Sequence, residues 1–311
     1  MNRIITLTVN PAVDKSTTVE GISPSNKLRC STPVYDAGGG GINVSRAIKR
    51  LHGDSLCIHL SGGSTGNRLV NLLNKESLNQ LLIPIESSTR ENFSVTDTTT
   101  NQQFRFGMPG ESILEKEWKS VLKKLKELLQ EGDFLVASGS LPEGIPNNFY
   151  ANVAAICKEK QAKLILDTSG EPLLKAAKSD VYLLKPNLGE LSAICGVDSI
   201  SILQLEDLAK DFLKKKTCEV LVVSLGAQGA MLITETLTKH IIAPTVHSKS
   251  TIGAGDSMVA GMVFSLAQGK SLEEVVGFGV ACGSATTMNS GTQLFKKEDV
   301  EMLYNWIRLQ E

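Results

Sequence analysis

Short apolar runs alternate with helical periods along almost the whole chain, and that alternation limits its fold more than any single motif does. Runs near 4–9, 55–60, 134–137, 164–166, 181–184 and 220–224 are dominated by apolar residues, the pattern of strands buried on both faces. Helical periods lie between them at about 42–51, 65–75, 114–130, 147–159, 187–195 and 203–215. Three more, at about 255–268, 271–289 and 297–308, make the last third the most helical. Buried strands joined by helices predict a layered α/β core with a mostly parallel sheet. A chain of 311 residues, 41% hydrophobic and 21% charged, suits one large core of that kind.

Two stretches break the rhythm. Residues 12–36 and 88–108 are rich in Thr, Val, Ser and Phe, alternate in polarity and carry no helical period, so each reads as a hairpin of a small second sheet. Such a sheet, inserted early in an α/β core, is either surface decoration or a lid over a cleft, and its apolar face would suit a second copy of the chain. The formal charge of −1 gives no pull toward nucleic acid or an anionic membrane, so any anionic ligand must be held by a local site. Six scattered cysteines without a CxxC pair, and four histidines near no cysteine at metal-ligand spacing, point to reduced thiols in a cytoplasm rather than a metal centre. The opening MNRIITLTVNP is strand-like, so no secretory leader is expected there, and no apolar segment is long enough to span a bilayer.

Chemistry concentrates in a few places. Ser250-Thr251-Ile252-Gly253-Ala254-Gly255-Asp256-Ser257 runs small residues into a helix start. The N–H groups of residues 253–256 would be free there to close on phosphate oxygens, and Asp256 could accept a proton from an attacking hydroxyl. A plain helix-entry turn capped by Asp256 is the competing reading. Gly38-Gly39-Gly40-Gly41-Ile42-Asn43 opens another helix, letting a ligand approach the backbone while Asn43 offers a donor and an acceptor to a polyol. No G-x-G-x-x-G can be aligned there, which argues against a nicotinamide site, and Gly269-Lys270-Ser271 lacks the first glycine of a Walker A loop.

Asp14 is placed at the end of the first strand segment, where it would bind sugar hydroxyls or serve a turn. Lys27, Arg29, Arg90 and Arg105 all fall in the two hairpins, a set of cations suited to a phosphate borne by the substrate. Lys185-Pro186-Asn187-Leu188-Gly189-Glu190 follows a buried run, at the strand end where open α/β sheets bind ligands. Glu190 and Asp167 could there order water around Mg²⁺, or Asn187 and Glu190 could simply form a capping box. Ser224-Leu225-Gly226-Ala227-Gln228-Gly229 ends another strand with glycines that suit a hairpin or a flat platform for a purine, and alone it reads only as a turn.

Together these segments resemble the ribokinase-type sugar kinases of the phosphofructokinase B family. Both signatures of that family are present, in Gly38-Gly39-Gly40-Gly41-Ile42-Asn43-Val44-Ser45 and Ile252-Gly253-Ala254-Gly255-Asp256, with Asn187 and Glu190 between them. The likeness runs from Thr6 to the last helix. Lys27-Leu28-Arg29-Cys30, residues 103–110, Ser138-Gly139-Ser140-Leu141-Pro142 and Gly283-Ser284-Ala285 point to its 6-phosphofructokinase branch. The resemblance implies a ribokinase-like three-layer α/β/α core with a small β-sheet lid, read as a single kinase domain over 1–311 with hairpins inserted at about 12–36 and 88–108.

It also implies ATP-dependent phosphorylation of fructose 6-phosphate at its 1-hydroxyl, with tagatose-6-phosphate kinase and 1-phosphofructokinase as alternatives. Asp256 would be the general base, and Gly253, Ala254 and Gly255 the anion hole. Asp14, Gly38, Gly39, Asn43 and Ser140 would hold the sugar, and Lys27, Arg90 and Arg105 its phosphate. ATP would lie among Lys185, Asn187, Ser224, Gly226, Gly229, Ser248, Val280 and Ser284, with Glu190 helping to place Mg²⁺. A K⁺ ion would be bound by oxygens of Ser250, Ile252, Thr286, Asn289 and Gly291, and the assembly would be a homodimer joined through the lid sheets. Two positions depart from the family pattern: Ser250 stands where Asp is usual, and Gln293 where Arg is.

Overall fold

The computed structural model describes residues 2–215 and 218–310. In chain order the first elements are β1 (Ile4–Thr8), β2 (Ala12–Val19), β3 (Val34–Gly38), α1 (Gly40–Arg50), β4 (Leu56–Ser61), α2 (Gly63–Lys75), β5 (Asn79–Pro84), β6 (Arg90–Asp97) and β7 (Gln103–Phe106). The middle of the chain forms α3 (Glu115–Leu128), β8 (Phe134–Ser138), α4 (Phe149–Glu159), β9 (Lys163–Asp167), α5 (Gly170–Ala176), β10 (Val181–Leu184), α6 (Leu188–Cys195) and α7 (Ile202–Leu213). It ends with β11 (Cys218–Ser224), β12 (Ala230–Ile233), β13 (Thr238–Ile241), α8 (Ala254–Ala267), α9 (Leu272–Thr287) and α10 (Lys297–Leu309).

Nine strands form the main sheet, in the order β13-β12-β11-β10-β9-β8-β1-β4-β5. All pairs from β11 to β5 are parallel, while β12 and β13 close the far edge antiparallel. Side chains alternate across the strands, so each strand feeds two cores. Ile5, Leu7, Leu135 and Ala137 face α3 to α7 through Val121, Tyr150, Leu173, Leu191 and Leu205. Ile4, Phe134 and Val136 face α1, α8, α9 and α10 through Ile48, Val259, Val275 and Val300. Burial on both faces is why these strands read as continuous apolar runs, and the result is the expected three-layer α/β/α core.

The helix α8 is buried almost all round and packs on α9. A Cβ at Gly261 would lie 2.7 Å from Cys282 Sγ and one at Gly279 2.5 Å from Met262 Cγ, so this close approach needs glycine at both places.

The two irregular stretches form a four-stranded sheet in the order β3-β2-β6-β7. Each is a hairpin, and the two join through a parallel β2–β6 pair at the centre. Val13 and Ala37 of this sheet bury against Ile42, Leu69 and Leu73 of α1 and α2, while β7 is exposed along its length. Asp14 is a correction to the sequence reading: β1 ends at Thr8, and Asp14 lies inside β2 of the second sheet. Strands β11 and β12 form the hairpin that the glycines of 224–229 suit, while strands β5 and β13 and helix α5 add to the elements expected from the sequence. Strand β5 is an edge strand buried only at Ile83, and its apolar run is just Leu81-Leu82-Ile83 before Pro84, while α5 is a seven-residue helix that starts at Gly170 and contains Pro172.

Candidate active site

The strand order departs from β1 in both directions, and the functional groups gather at the carboxyl ends of the parallel strands around that point. Asn10 follows β1, Ser138 ends β8, Asp167 ends β9, Lys185 follows β10 and Ser224 ends β11. Helix α8 brings Asp256 to the same place from its first turn.

Gly253 is the N-cap of α8 with φ of 73°, a left-handed conformation that favours glycine. The Ala254 N–H turns back to Thr251 O at 3.3 Å, which removes it from the set of open donors expected from the sequence. Among the described residues the N–H groups of Gly255 and Asp256 have no protein acceptor, and they stand at the positive end of a long helix.

Asp256 is partly exposed, and its carboxylate is held at both oxygens. Asn43 Nδ2 donates to Oδ2 at 2.9 Å, and Ser138 Oγ donates to Oδ1 at 3.4 Å. Burial first, then repulsion from Asp167, pushes the acid up to about 6, against the pull of Asn43, Lys185 and Ser138. Lys185 sits between the acids, 3.1 Å from Asp167 Oδ1. Burial opposes its charge, but Asp167, Asp256 and Glu190 together hold its pKa above the ordinary value. The site thus carries a base of raised pKa, a buried cation and open backbone donors, the parts a phosphoryl transfer needs.

Glycine permits the approach of the other walls. A Cβ at Gly40 would fall 2.1 Å from Ser138 Oγ, and one at Gly38 2.3 Å from Asp14 Oδ2. Asp14 Oδ1 accepts from Asn92 Nδ2 at 2.8 Å, and Asn92 Oδ1 accepts from Met108 N at 3.2 Å. A cavity of about 210 Å³ is lined by Asp14, Asn92 and Arg105 on the second sheet and by Ile252 and Thr292 opposite. It therefore reaches from the residue preceding Gly253 to a cation on β7. The Arg90 guanidinium donates to Asn10 O at 3.3 Å and Met108 O at 3.1 Å, while its buried Nε has no partner among the described residues. Lys27 and Arg29 lie on the exposed loop between β2 and β3, outside the residues that line the cavity.

On the other side, Asn187 and Ser224 pair as an isolated parallel bridge, and Gly226 to Gln228 form a 3₁₀ turn into β12. Asn187 and Glu190 do form a capping box, with Asn187 Oδ1 accepting from Glu190 N at 2.9 Å and Glu190 Oε2 accepting from Asn187 N at 2.8 Å. Among the described residues the other carboxylate oxygen of Glu190 has no hydrogen-bond partner. A Cβ at Gly283 would be 3.2 Å from Ala254 O, which puts Ser284 of α9 beside the α8 start; Val280 is buried one turn earlier. Gly229 is pressed against Ile241 O, and Ser248 is exposed on the segment after β13.

Of the residues expected around K⁺, Ser250 Oγ donates to Gly291 O at 3.1 Å and accepts from Ile252 N at 3.3 Å. Asn289 Nδ2 donates to Ala285 O at 3.1 Å, leaving its carbonyl oxygen available. The Thr286 hydroxyl is instead buried against Ser257 Oγ at 2.7 Å, so only its backbone oxygen could serve a cation.

Sequence reasoning selected Ser140, which bonds Asn10 Nδ2 at 3.0 Å, and passed over Ser138, the hydroxyl that meets Asp256. It also passed over Asn92 and Arg46, whose Nη1 donates to Asn43 Oδ1 at 3.3 Å. Arg46 stands one helical turn after Asn43 on a face that should be apolar, and that misplaced charge was the available signal.

A parallel α/β core, an anion-binding helix start with an adjacent base and a polyol cavity under a second sheet define a carbohydrate kinase. The chain belongs to the pfkB family of carbohydrate kinases, whose model matches residues 6–299. It is 39% identical over 308 residues to the ATP-dependent 6-phosphofructokinase isozyme 2 of Escherichia coli, covering 99% of each chain. It is 34% identical over 297 residues to the 1-phosphofructokinase of Bacillus subtilis, covering 95% of this chain and 96% of that one. The crystal structure of phosphofructokinase-2 from E. coli in complex with potassium superposes with a TM-score of 0.95 at 38% identity, covering 99% of this chain and all of the other.

Proposed function

We infer that the protein is an ATP-dependent 6-phosphofructokinase that phosphorylates fructose 6-phosphate at its 1-hydroxyl to give fructose 1,6-bisphosphate. The observation that carries this reading is the cavity joining the two ends of the reaction. Ile252, at the entry to the helix whose first turn carries the open Gly255 and Asp256 N–H groups, lines one wall, and Arg105 and Asp14 line the other.

A sugar phosphate laid in that cavity would present its hydroxyl to Asp256 and its 6-phosphate to the second sheet, which acts as a lid over one kinase domain. Asp14 would take hydrogen bonds from sugar hydroxyls beside Gly38 and Gly39, and Arg105 and Arg90 would clamp the phosphate. Asp256, with its raised pKa, accepts the hydroxyl proton as the oxygen attacks the γ-phosphorus. The Gly255 and Asp256 N–H groups receive the charge that builds on the transferred phosphoryl oxygens. Lys185 supplies positive charge on the leaving side. Lys185, Asn187, Ser224, Gly226, Gly229, Ser248, Val280 and Ser284 would surround the nucleotide.

The free oxygen of Glu190, with Asp167 nearby, fits a hard divalent ion such as Mg²⁺ held through water. The neutral oxygens of Ser250, Ile252, Asn289 and Gly291 fit K⁺, which would steady the segment carrying the open N–H groups. Such ions supply charge neutralisation when bound. Lys27, on an exposed loop outside the cavity lining, would complete the phosphate site. A homodimer through the lid is supported by Val34, Phe104 and Phe106, which are exposed on it. Six free cysteines, and the lack of any membrane-length apolar helix among the described residues, support a cytoplasmic placement.

The test is kcat/KM for ATP-dependent phosphorylation of fructose 6-phosphate, tagatose 6-phosphate and fructose 1-phosphate side by side with Mg²⁺, with and without K⁺. Preference for fructose 6-phosphate supports the assignment. A tenfold preference for fructose 1-phosphate would leave the Asp256 chemistry in place and remove Arg90 and Arg105 from the phosphate clamp.

A further inference from the structure

Arg46 is only 3% exposed, yet it is charged and sits behind the site rather than in it. Each part of its guanidinium has a distinct partner. Nε donates to both oxygens of Glu76 at 2.8 and 3.0 Å, anchoring it to the end of α2. Nη1 donates to Ala37 O at 2.9 Å and to Asn43 Oδ1 at 3.3 Å. Nη2 lies 3.9 Å from Asp36 Oδ1, and Asp36 Oδ2 accepts from Thr292 Oγ1 at 2.7 Å on the cavity wall.

The contact with Asn43 has a chemical consequence. The two ends of an asparagine amide are nearly the same shape, and only their hydrogen-bonding partners decide which way they face. A guanidinium donates and never accepts, so the Asn43 oxygen must face Arg46 and its NH₂ must face Asp256 Oδ2. The flipped amide would set a carbonyl oxygen against the carboxylate and an NH₂ against the cation. The sequence reading gave both ends of Asn43 to the sugar; in the structure each end already has a protein partner.

We propose that Arg46 is a positioning residue for catalysis: it fixes the orientation of the Asn43 amide that holds Asp256, and ties that orientation to strand β3 of the second sheet through Ala37 and Asp36. The inference rests on the reading of Asp256 as the base. Lysine at position 46 keeps the charge but, as a point donor without the planar fork, cannot hold Glu76, Ala37 O and Asn43 Oδ1 together.

The experiment measures kcat and both KM values for Arg46→Lys, for Glu76→Ala, which loosens the guanidinium from a partly exposed anchor, and for each combined with Asn43→Ala. Folding is checked by denaturant titration. Arg46→Lys is expected to lower kcat by about tenfold or more, with KM for fructose 6-phosphate and for ATP within about threefold. Glu76→Ala is expected to lower kcat severalfold in the same pattern. Neither should reduce kcat further once Asn43 is Ala, because the effect passes through that amide. Should Arg46→Lys fail to fold, Glu76→Ala decides alone. Unchanged kcat in a folded variant, or losses that multiply with that of Asn43→Ala, would overturn the proposal. Wild-type turnover and its loss in Asp256→Asn are read in the same assay, so a failure of the base assignment is seen separately.

Discussion

Replacing Asp256 by Asn should remove most of the turnover and at the same time stabilise the fold. The carboxyl is raised from 3.8 to about 6, chiefly by burial and by Asp167, so the folded protein pays to keep it ionised. At about 1.36 kcal/mol per unit, a shift of roughly two units corresponds to at most about 3 kcal/mol at pH 8. Partial exposure to the cleft reduces this, and we expect a gain of about 1–2 kcal/mol for the neutral isostere.

The sign with pH follows from the direction of the shift. Between the unfolded and folded values the folded state holds the proton more tightly, so the wild type loses stability as pH rises from about 4 to about 6, whereas the Asn variant lacks this loss. Its advantage should therefore be full at pH 8, about half as large at pH 5 and absent below pH 4. Urea titrations of both proteins at pH 5 and pH 8, without ligands, measure it. The same acid predicts that wild-type kcat/KM falls on the acid side with an apparent pKa near 6. The Asn variant should lose about 10²- to 10⁴-fold in kcat. An Asn variant that is no more stable at pH 8, or a gain that does not shrink toward pH 5, would refute the claim that the protein holds this base at a cost.

Gly40→Ala would place a Cβ 2.1 Å from Ser138 Oγ against strand β8, and should cost about 1–3 kcal/mol in a urea titration together with most activity. Gly38→Ala meets only the end of the Asp14 side chain, at 2.3 Å, so it should fold normally and raise KM for the sugar phosphate about tenfold with KM for ATP little changed. Arg105→Gln should likewise raise KM for fructose 6-phosphate by about tenfold or more, and a substrate lacking the phosphate should not sense it. Exchange of K⁺ for a bulky organic cation should lower kcat severalfold in the wild type, and Ser250→Ala, which loses the bond to Gly291 O, should blunt that response.

The parts legible in the sequence are those whose cause is local. A strand buried on both faces must be apolar along its length, so β1, β8, β10 and β11 could be placed to within two residues, whereas the edge strand β5, buried only at Ile83, offers just Leu81-Leu82-Ile83 between Gln80 and Pro84 and does not stand out. The Gly253 to Asp256 turn was equally legible, because a left-handed cap and open N–H groups depend on the residues that carry them. What could not be read is the pairing that turns these pieces into a site. Asn43 and Asp256 are 213 residues apart, Asp14 and Asn92 are 78 apart, and Asp36 meets Thr292 across 256. No local period encodes such contacts. They exist because glycine at 38 leaves room for the Asp14 carboxylate, glycine at 40 lets α1 close on β8, and glycine at 261 and 279 lets α8 settle onto α9. A functional group can thus be recognised by its own chemistry, but its partner is set by packing. That is why the sequence pointed to Asp256 and Asn43 and missed Arg46, whose contribution is made entirely through a neighbour.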